Sequence, residues 1–147
     1  QTAFDRIRTE MLTAERDQIV LAGEIIEMRE KMFPTHPPVD SNVKYARGGV
    51  VDVEFIVQYL ILAHARQYPQ LLDNYGNIAL LNIAADCGLI DKTFAEQSRT
   101  AYRFYRQQHN TKLRDAKKTE VTDELLTHYG NVRKLWQEVF GAEVKFG

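Results

Sequence analysis

A chain of 147 residues, 44% hydrophobic and 27% charged, has the size and balance of one globular domain with a real core, not of a disordered segment. Its formal net charge of -1 excludes a global electrostatic pull toward nucleic acid or a membrane surface. The single cysteine, Cys87, cannot close an internal disulfide, so a reducing compartment, the cytoplasm, is expected.

Over residues 2–32 the apolar positions Phe4, Ile7, Met11, Ala14, Leu21, Ile25, Met28 and Met32 recur at spacings of three and four, interrupted only by Gln18. This predicts a long first helix, roughly 45 Å if unbroken at 1.5 Å per residue. Gly23 lies within it and leaves open one rod or two collinear helices, because a mid-helix glycine costs about 1 kcal/mol relative to alanine. Pro34, Pro37 and Pro38 stop the pattern, and a loop is expected through Arg47. No basic-then-apolar leader opens the sequence, and a start at Gln1 inside a helical pattern is expected of a piece of a longer polypeptide.

A second helix is predicted from about Gly49 to Tyr68. Val50, Val51, Val53, Phe55, Ile56, Val57, Tyr59, Leu60, Ile61 and Leu62 leave it almost no polar face, which makes it the expected centre of the fold. Its β-branched content would suit a strand, but its length and the Ala63-His64-Ala65-Arg66 continuation favour a helix. Asp52, Glu54 and Gln58 break the apolar run, and nothing in the chain reaches the ~20 apolar residues that span a bilayer.

Asn77 is placed to cap a third helix through Asp86, closed by Gly88. Asp91 is the expected cap of a fourth reaching about Lys112, with Phe94, Ser98, Ala101, Tyr102, Tyr105 and His109 on one face. After a basic connector, Thr122 opens a fifth helix that ends near Phe140, before Gly141, with Tyr129, Val132, Leu135, Trp136 and Val139 as its buried stripe. The expected fold is therefore all-α: one domain, residues 1–147, built as a bundle of about five helices with no sheet.

Four features could carry chemistry. Gly48 and Gly49, just before a helix, permit φ > 0 and close backbone approach. Their amides, with Lys44 and Arg47 alongside, could face a phosphate or carboxylate; the alternative is a tight turn that lets the helix pack closely. Asp52 and Glu54 lie on a mostly apolar helix, where carboxylates are rarely buried unpaired. Either each closes an ion pair with Lys44, Arg47 or an arginine of the fourth helix, or the two support an adjacent active site electrostatically. Glu54 and Gln58, four apart, can share a face.

The third feature is a basic stretch with interleaved aromatics: Arg99, Arg103, Arg106, Lys112, Arg114, Lys117 and Lys118, opposed only by Asp115. With the whole chain near neutral, a solvated face or a docking surface for an acidic partner fits it better than a nucleic-acid site, which would demand salt-sensitive binding. Fourth, the histidines at 36, 64, 109 and 128 are scattered, and none pairs at i, i+4 with another His or with Cys87, so no metal site is expected. Cys87, near a predicted helix C-terminus, reads as a packed thiol. No Gly-x-Ser-x-Gly, P-loop or Rossmann glycine pattern is present.

The run Lys44-Tyr45-Ala46-Arg47-Gly48-Gly49-Val50-Val51-Asp52-Val53-Glu54-Phe55-Ile56-Val57-Gln58-Tyr59 resembles the glutamine synthetase adenylyltransferase family. There a Lys-x-x-x-Gly-Gly-x-x-Asp-x-Glu-Phe-x-x-Gln segment opens the main helix of a helical domain. Met28-Arg29-Glu30-Lys31-Met32, Ala84-Ala85-Asp86-Cys87-Gly88-Leu89-Ile90 and Ala101-Tyr102-Arg103-Phe104-Tyr105-Arg106 resemble its other helices, so the likeness covers essentially the whole chain. The resemblance implies a two-headed enzyme whose N-terminal half removes AMP from glutamine synthetase and whose C-terminal half adds it from ATP. Val50-Val51-Asp52-Val53 with Gln58-Tyr59-Leu60 is most similar to the C-terminal, adenylylating half.

The family's catalytic Gly-Ser and Asp-x-Asp signature has no match in this sequence. The resemblance therefore implies that a nucleotidyltransferase domain precedes Gln1 and holds ATP and Mg²⁺, and that this chain alone is inactive. Lys44, Arg47, Gly48 and Gly49 are expected to face that active site, with Asp52 and Glu54 as supporting acids. The alternative implied role is a regulatory module that receives PII protein or glutamine through the basic surface of the fourth helix. Partners implied are glutamine synthetase, PII protein and the preceding domain, with no nucleic acid and no membrane.

Overall fold

The computed structural model describes residues 15–73, 76–112 and 120–141. It contains five α-helices and one short 3-10 turn, with no strand among the described residues: α1 (Glu15–Lys31), α2 (Val50–His64), the 3-10 turn (Pro69–Leu72), α3 (Asn77–Asp86), α4 (Lys92–Lys112) and α5 (Asp123–Phe140). The all-α bundle is as expected. The expected part of the first helix before Glu15 lies outside the described residues. From Glu15 onward that helix runs without a break through Gly23.

Helix α2 is the hub, packing against α1, α3, α4, α5 and the 3-10 turn. Its β-branched residues form a helix because burial, and not intrinsic propensity, decides: Val51, Val53, Ile56 and Val57 are all buried, as are Leu60 and Ala63. It is shorter than expected, turning at Ala65 instead of running to Tyr68. Helix α1 lies antiparallel to α2, since Gln18 Nε2 donates to the Ala63 carbonyl near one end and Arg29 reaches Asp52 near the other.

The packed face of α1 corrects the expected stripe. Gln18, read as an interruption, is half-buried and bonded to α2, whereas Met28 is 53% exposed. Ile25 and Arg29, four apart, are the buried positions.

The helix ends follow local chemistry. Gly88 (φ 80°) and Gly141 (φ 73°) take the left-handed conformation after α3 and α5, and the Leu89 amide returns to the Ala84 carbonyl. Asn77 is not a cap as expected. Gly76 takes that position, and the Asn77 side chain donates through Nδ2 to the Tyr102 hydroxyl on α4. The Asp91 carboxylate accepts from the Phe94 amide at the start of α4. Thr122 caps α5, its Oγ1 accepting from the Leu125 amide at 3.1 Å. Thr122→Ala should therefore destabilise the domain by about 1 kcal/mol, read as a lower urea midpoint with an unchanged slope.

Helices α4 and α5 form the most extensive pair and run antiparallel: the Tyr105 ring lies tilted against Tyr129 and Phe104 against His128, while the Asp91 amide meets the Glu138 carboxylate. Leu125, Tyr129, Val132, Leu135 and Trp136 are buried, and Val139 is half-buried. Together the five helices enclose one core with α2 through its middle.

Candidate functional site

The loop of residues 43–49 and the first turn of α2 form a single unit. The Val50 and Val51 amides, unpaired in any isolated helix, donate to the Val43 and Lys44 carbonyls at 3.0 Å each. The Gly49 amide donates to the Ala46 carbonyl at 2.8 Å. The loop thus caps α2 with its own backbone.

Asp52 holds this unit to the rest of the domain. Its side chain is wholly buried and accepts three hydrogen bonds: from Arg29 Nε (2.5 Å), from the Gly48 amide (2.6 Å) and from Arg47 Nε (3.2 Å). Arg29, also fully buried, extends Nη2 to the Tyr45 carbonyl at 2.6 Å and so ties the loop to α1. Arg47, 5% exposed, lies with its guanidinium 5.3 Å from the centre of the Trp136 ring on α5. Burial pushes the Arg47 guanidinium downward from its ordinary value, and the Asp52 carboxylate works against that shift.

Gly48 is the second anchor. Its φ of +86° belongs to the left-handed region, and a Cβ there would collide with the Tyr129 carbonyl oxygen on α5. Its carbonyl accepts from the buried Tyr105 hydroxyl on α4 at 2.7 Å. Burial, then the neighbouring Tyr129 and Asp52, raises the Tyr105 phenol well above its usual value, so it remains a proton donor. Gly49 is needed for a different reason: a Cβ would strike the Val43 carbonyl oxygen, which accepts from the amide of Val50. The Tyr129 hydroxyl completes the clamp by donating to the Asp40 carbonyl at 2.7 Å.

The expected site residues thus divide. Gly48, Gly49, Arg47 and Asp52 face inward, and both glycine amides are already hydrogen-bonded within the chain. Lys44 and Glu54 face solvent, as does Gln58, one turn beyond Glu54. Glu54, Val57, Gln58, Ile61 and Leu62 of α2, with Asn77 and Leu80 of α3, line an open groove of about 360 Å³. Neither of the two neighbouring cations expected for Glu54 is placed on it: Arg47 pairs with Asp52, and Lys44 stands over the Tyr45 ring.

Arg29 was not among the expected partners of Asp52, although the helical spacing from Ile25 places it on the buried face of α1. Tyr105 and Trp136 were expected as core residues, but their engagement with the glycine loop depends on how α4 and α5 pack on it. On the basic surface, Arg103 and Arg106 are exposed on α4, Lys112 is its last residue, and Arg114, Lys117 and Lys118 lie outside the described residues. Among the described residues no group of three His, Cys, Asp or Glu could hold a metal ion. No described helix is long and apolar enough to cross a membrane.

The family model for GlnD PII-uridylyltransferase matches residues 21–140, a span that contains the whole glycine loop and α2–α5. Relatives carry the name bifunctional glutamine synthetase adenylyltransferase/adenylyl-removing enzyme. That of Neisseria meningitidis serogroup A is 92% identical over 144 residues, covering 97% of this chain and 16% of the relative. That of Chromobacterium violaceum is 51% identical over the same shares. The one from Nitrosomonas europaea is 39% identical across 94% of the chain and 17% of its own length. The chain therefore spans about one-sixth of the length of these relatives. It belongs to the GlnD PII-uridylyltransferase family and, over nearly all its length, is similar to one segment of the bifunctional glutamine synthetase adenylyltransferase/adenylyl-removing enzymes.

Proposed function

We propose that this chain is the helical module of the adenylylating half of an enzyme that transfers AMP from ATP to a tyrosine of glutamine synthetase, and so regulates nitrogen assimilation. In this reading it braces the active site of a nucleotidyltransferase domain that precedes it. The observation that carries the proposal is the division of the 44–58 segment. Its glycines, Arg47 and Asp52 are engaged in the junction between loop and core, while Lys44, Glu54 and Gln58 stay exposed on it. Polar side chains presented by a rigid, self-capped helix start are well placed to act on something outside the module.

Transfer of a nucleotidyl group depends on positioning and charge stabilisation more than on covalent help from the protein. Lys44 supplies a point charge suited to phosphate oxygens. Glu54 is one exposed carboxylate, and no metal-binding cluster exists among the described residues. ATP and Mg²⁺ therefore belong to the preceding domain in this reading, with Lys44 beside them.

The test is Lys44→Ala and Glu54→Gln in the full-length enzyme. Lys44→Ala should lower AMP transfer about 10- to 100-fold with no change in melting temperature, since its ammonium bears on no core group. Arg47→Ala is unsuitable as a probe, because it would disrupt the buried ion cluster. Undiminished transfer by Lys44→Ala would refute the active-site role. A second reading, in which PII protein or glutamine docks on the outer face of α4, draws on the exposed Arg103 and Arg106. It predicts the opposite pattern: Arg103→Glu with Arg106→Glu would alter the response to those effectors, and Lys44→Ala would be silent.

A further inference from the structure

We propose that Tyr45, backed by His36, is a positioning residue that holds the Lys44 ammonium in place. The proposal rests on the reading above, in which Lys44 acts on the reacting phosphates. An exposed lysine on a loop is ordinarily spread over many rotamers, and a charge spread over many positions stabilises little at any one of them. Lys44 differs from such a side chain. Its Nζ stands over the Tyr45 ring, 5.3 Å from the centroid, where the negative face of the aromatic attracts a cation.

The ring itself is fixed from two sides. The His36 imidazole stacks on it at 4.1 Å between centroids and 4° between planes. The Tyr45 carbonyl accepts from the buried guanidinium of Arg29, and its amide donates to the Asn42 carbonyl at 3.2 Å. His36 is held in turn by its amide, which donates to the Met32 carbonyl at 2.7 Å just beyond α1. The Lys44 amide donates to Asn42 Oδ1 at 3.2 Å. A continuous path of contacts therefore leads from the buried Asp52 cluster, through Arg29 and Tyr45, to an exposed ammonium. Both rings remain half-exposed, so the core gives no reason for their stacking.

The experiment is a double-mutant cycle on AMP transfer by the full-length enzyme, using Lys44→Ala, Tyr45→Leu and the pair. An exposed cation–π contact predicts that Tyr45→Leu lowers kcat/KM about two- to fivefold. The same change in the Lys44→Ala background should add nothing. Tyr45→Phe should restore most of the activity, because the ring and not the hydroxyl holds the charge. His36→Ala, which leaves the loop backbone intact, should produce a smaller loss that again disappears without Lys44. Equal losses from Tyr45→Leu in both backgrounds, or a parallel drop in melting temperature, would mean a merely structural ring and would overturn the proposal. A full-activity Tyr45→Leu beside an impaired Lys44→Ala would overturn it too, while leaving the role of Lys44 standing. If Lys44→Ala is itself silent, both readings fail together.

Discussion

Asp52→Ala should destabilise the domain by about 3–5 kcal/mol, enough to abolish cooperative unfolding in a domain of ordinary marginal stability. Asp52 is the carboxylate that pairs with the buried cations Arg29 and Arg47, and all three side chains are at most 5% exposed. Removing it leaves two guanidiniums out of water, with Arg29 close enough to disfavour the charge on Arg47, and strips the Gly48 amide of its acceptor. Burying such a cluster is not in itself a large source of stability, because desolvation offsets the attraction. The penalty comes from breaking it. Asp52→Asn keeps the shape and one acceptor oxygen, so it should fall between wild type and Asp52→Ala. Urea unfolding of the three proteins, followed by Trp136 fluorescence, measures the order. An Asp52→Ala variant within about 1 kcal/mol of wild type would show that the cluster does not hold the loop.

Gly48→Ala should be nearly as damaging, at about 3 kcal/mol or more, although it adds only a methyl group. Left-handed backbone costs an L-residue about 1–2 kcal/mol on its own. The rest comes from the Tyr129 backbone, whose Cα and carbonyl carbon would both lie 2.9 Å from the new Cβ. Backbone cannot swing aside as a flexible side chain does, so α5 must move away from the loop. That shift also loosens the Tyr105 hydrogen bond and the Arg47–Trp136 contact. Gly88→Ala is the matched control: its φ is +80°, almost the same, but nothing lies within 4 Å of its added Cβ. It should show the conformational cost alone, about 1–2 kcal/mol. Equal unfolding free energies for the two variants would refute the close packing of α5 on the glycine loop.

These two positions show how much of the candidate site could be read from residues alone. The paired glycines, the basic neighbours and the acids at 52 and 54 all stood out by type and spacing, and a tight turn for close packing was one reading of the glycines. That Asp52 needed a partner followed from its apolar surroundings. Its partner on α1 did not, because Arg29 and Asp52 are 23 residues apart and meet only through the antiparallel crossing of α1 and α2. The exposure of Glu54, two residues from the wholly buried Asp52, follows from helical geometry once one face is known to be inward. Which face that is depends on the neighbours.

The sequence by itself determined the helices, most of their ends and the central place of α2, because a 3.6-residue apolar period, left-handed glycines and a capping threonine act within a turn or two of chain. It marked the 44–58 segment through its residue types. Only the tertiary structure decided which of those residues are spent on the fold and which remain for function. Hydrogen bonds from Arg29, Tyr105 and the Gly48 amide, and the approach of Tyr129, arise between segments far apart in sequence. Burial assigns Arg47 and Asp52 to the junction that holds the loop, and exposure leaves Lys44, Glu54 and Gln58 turned outward.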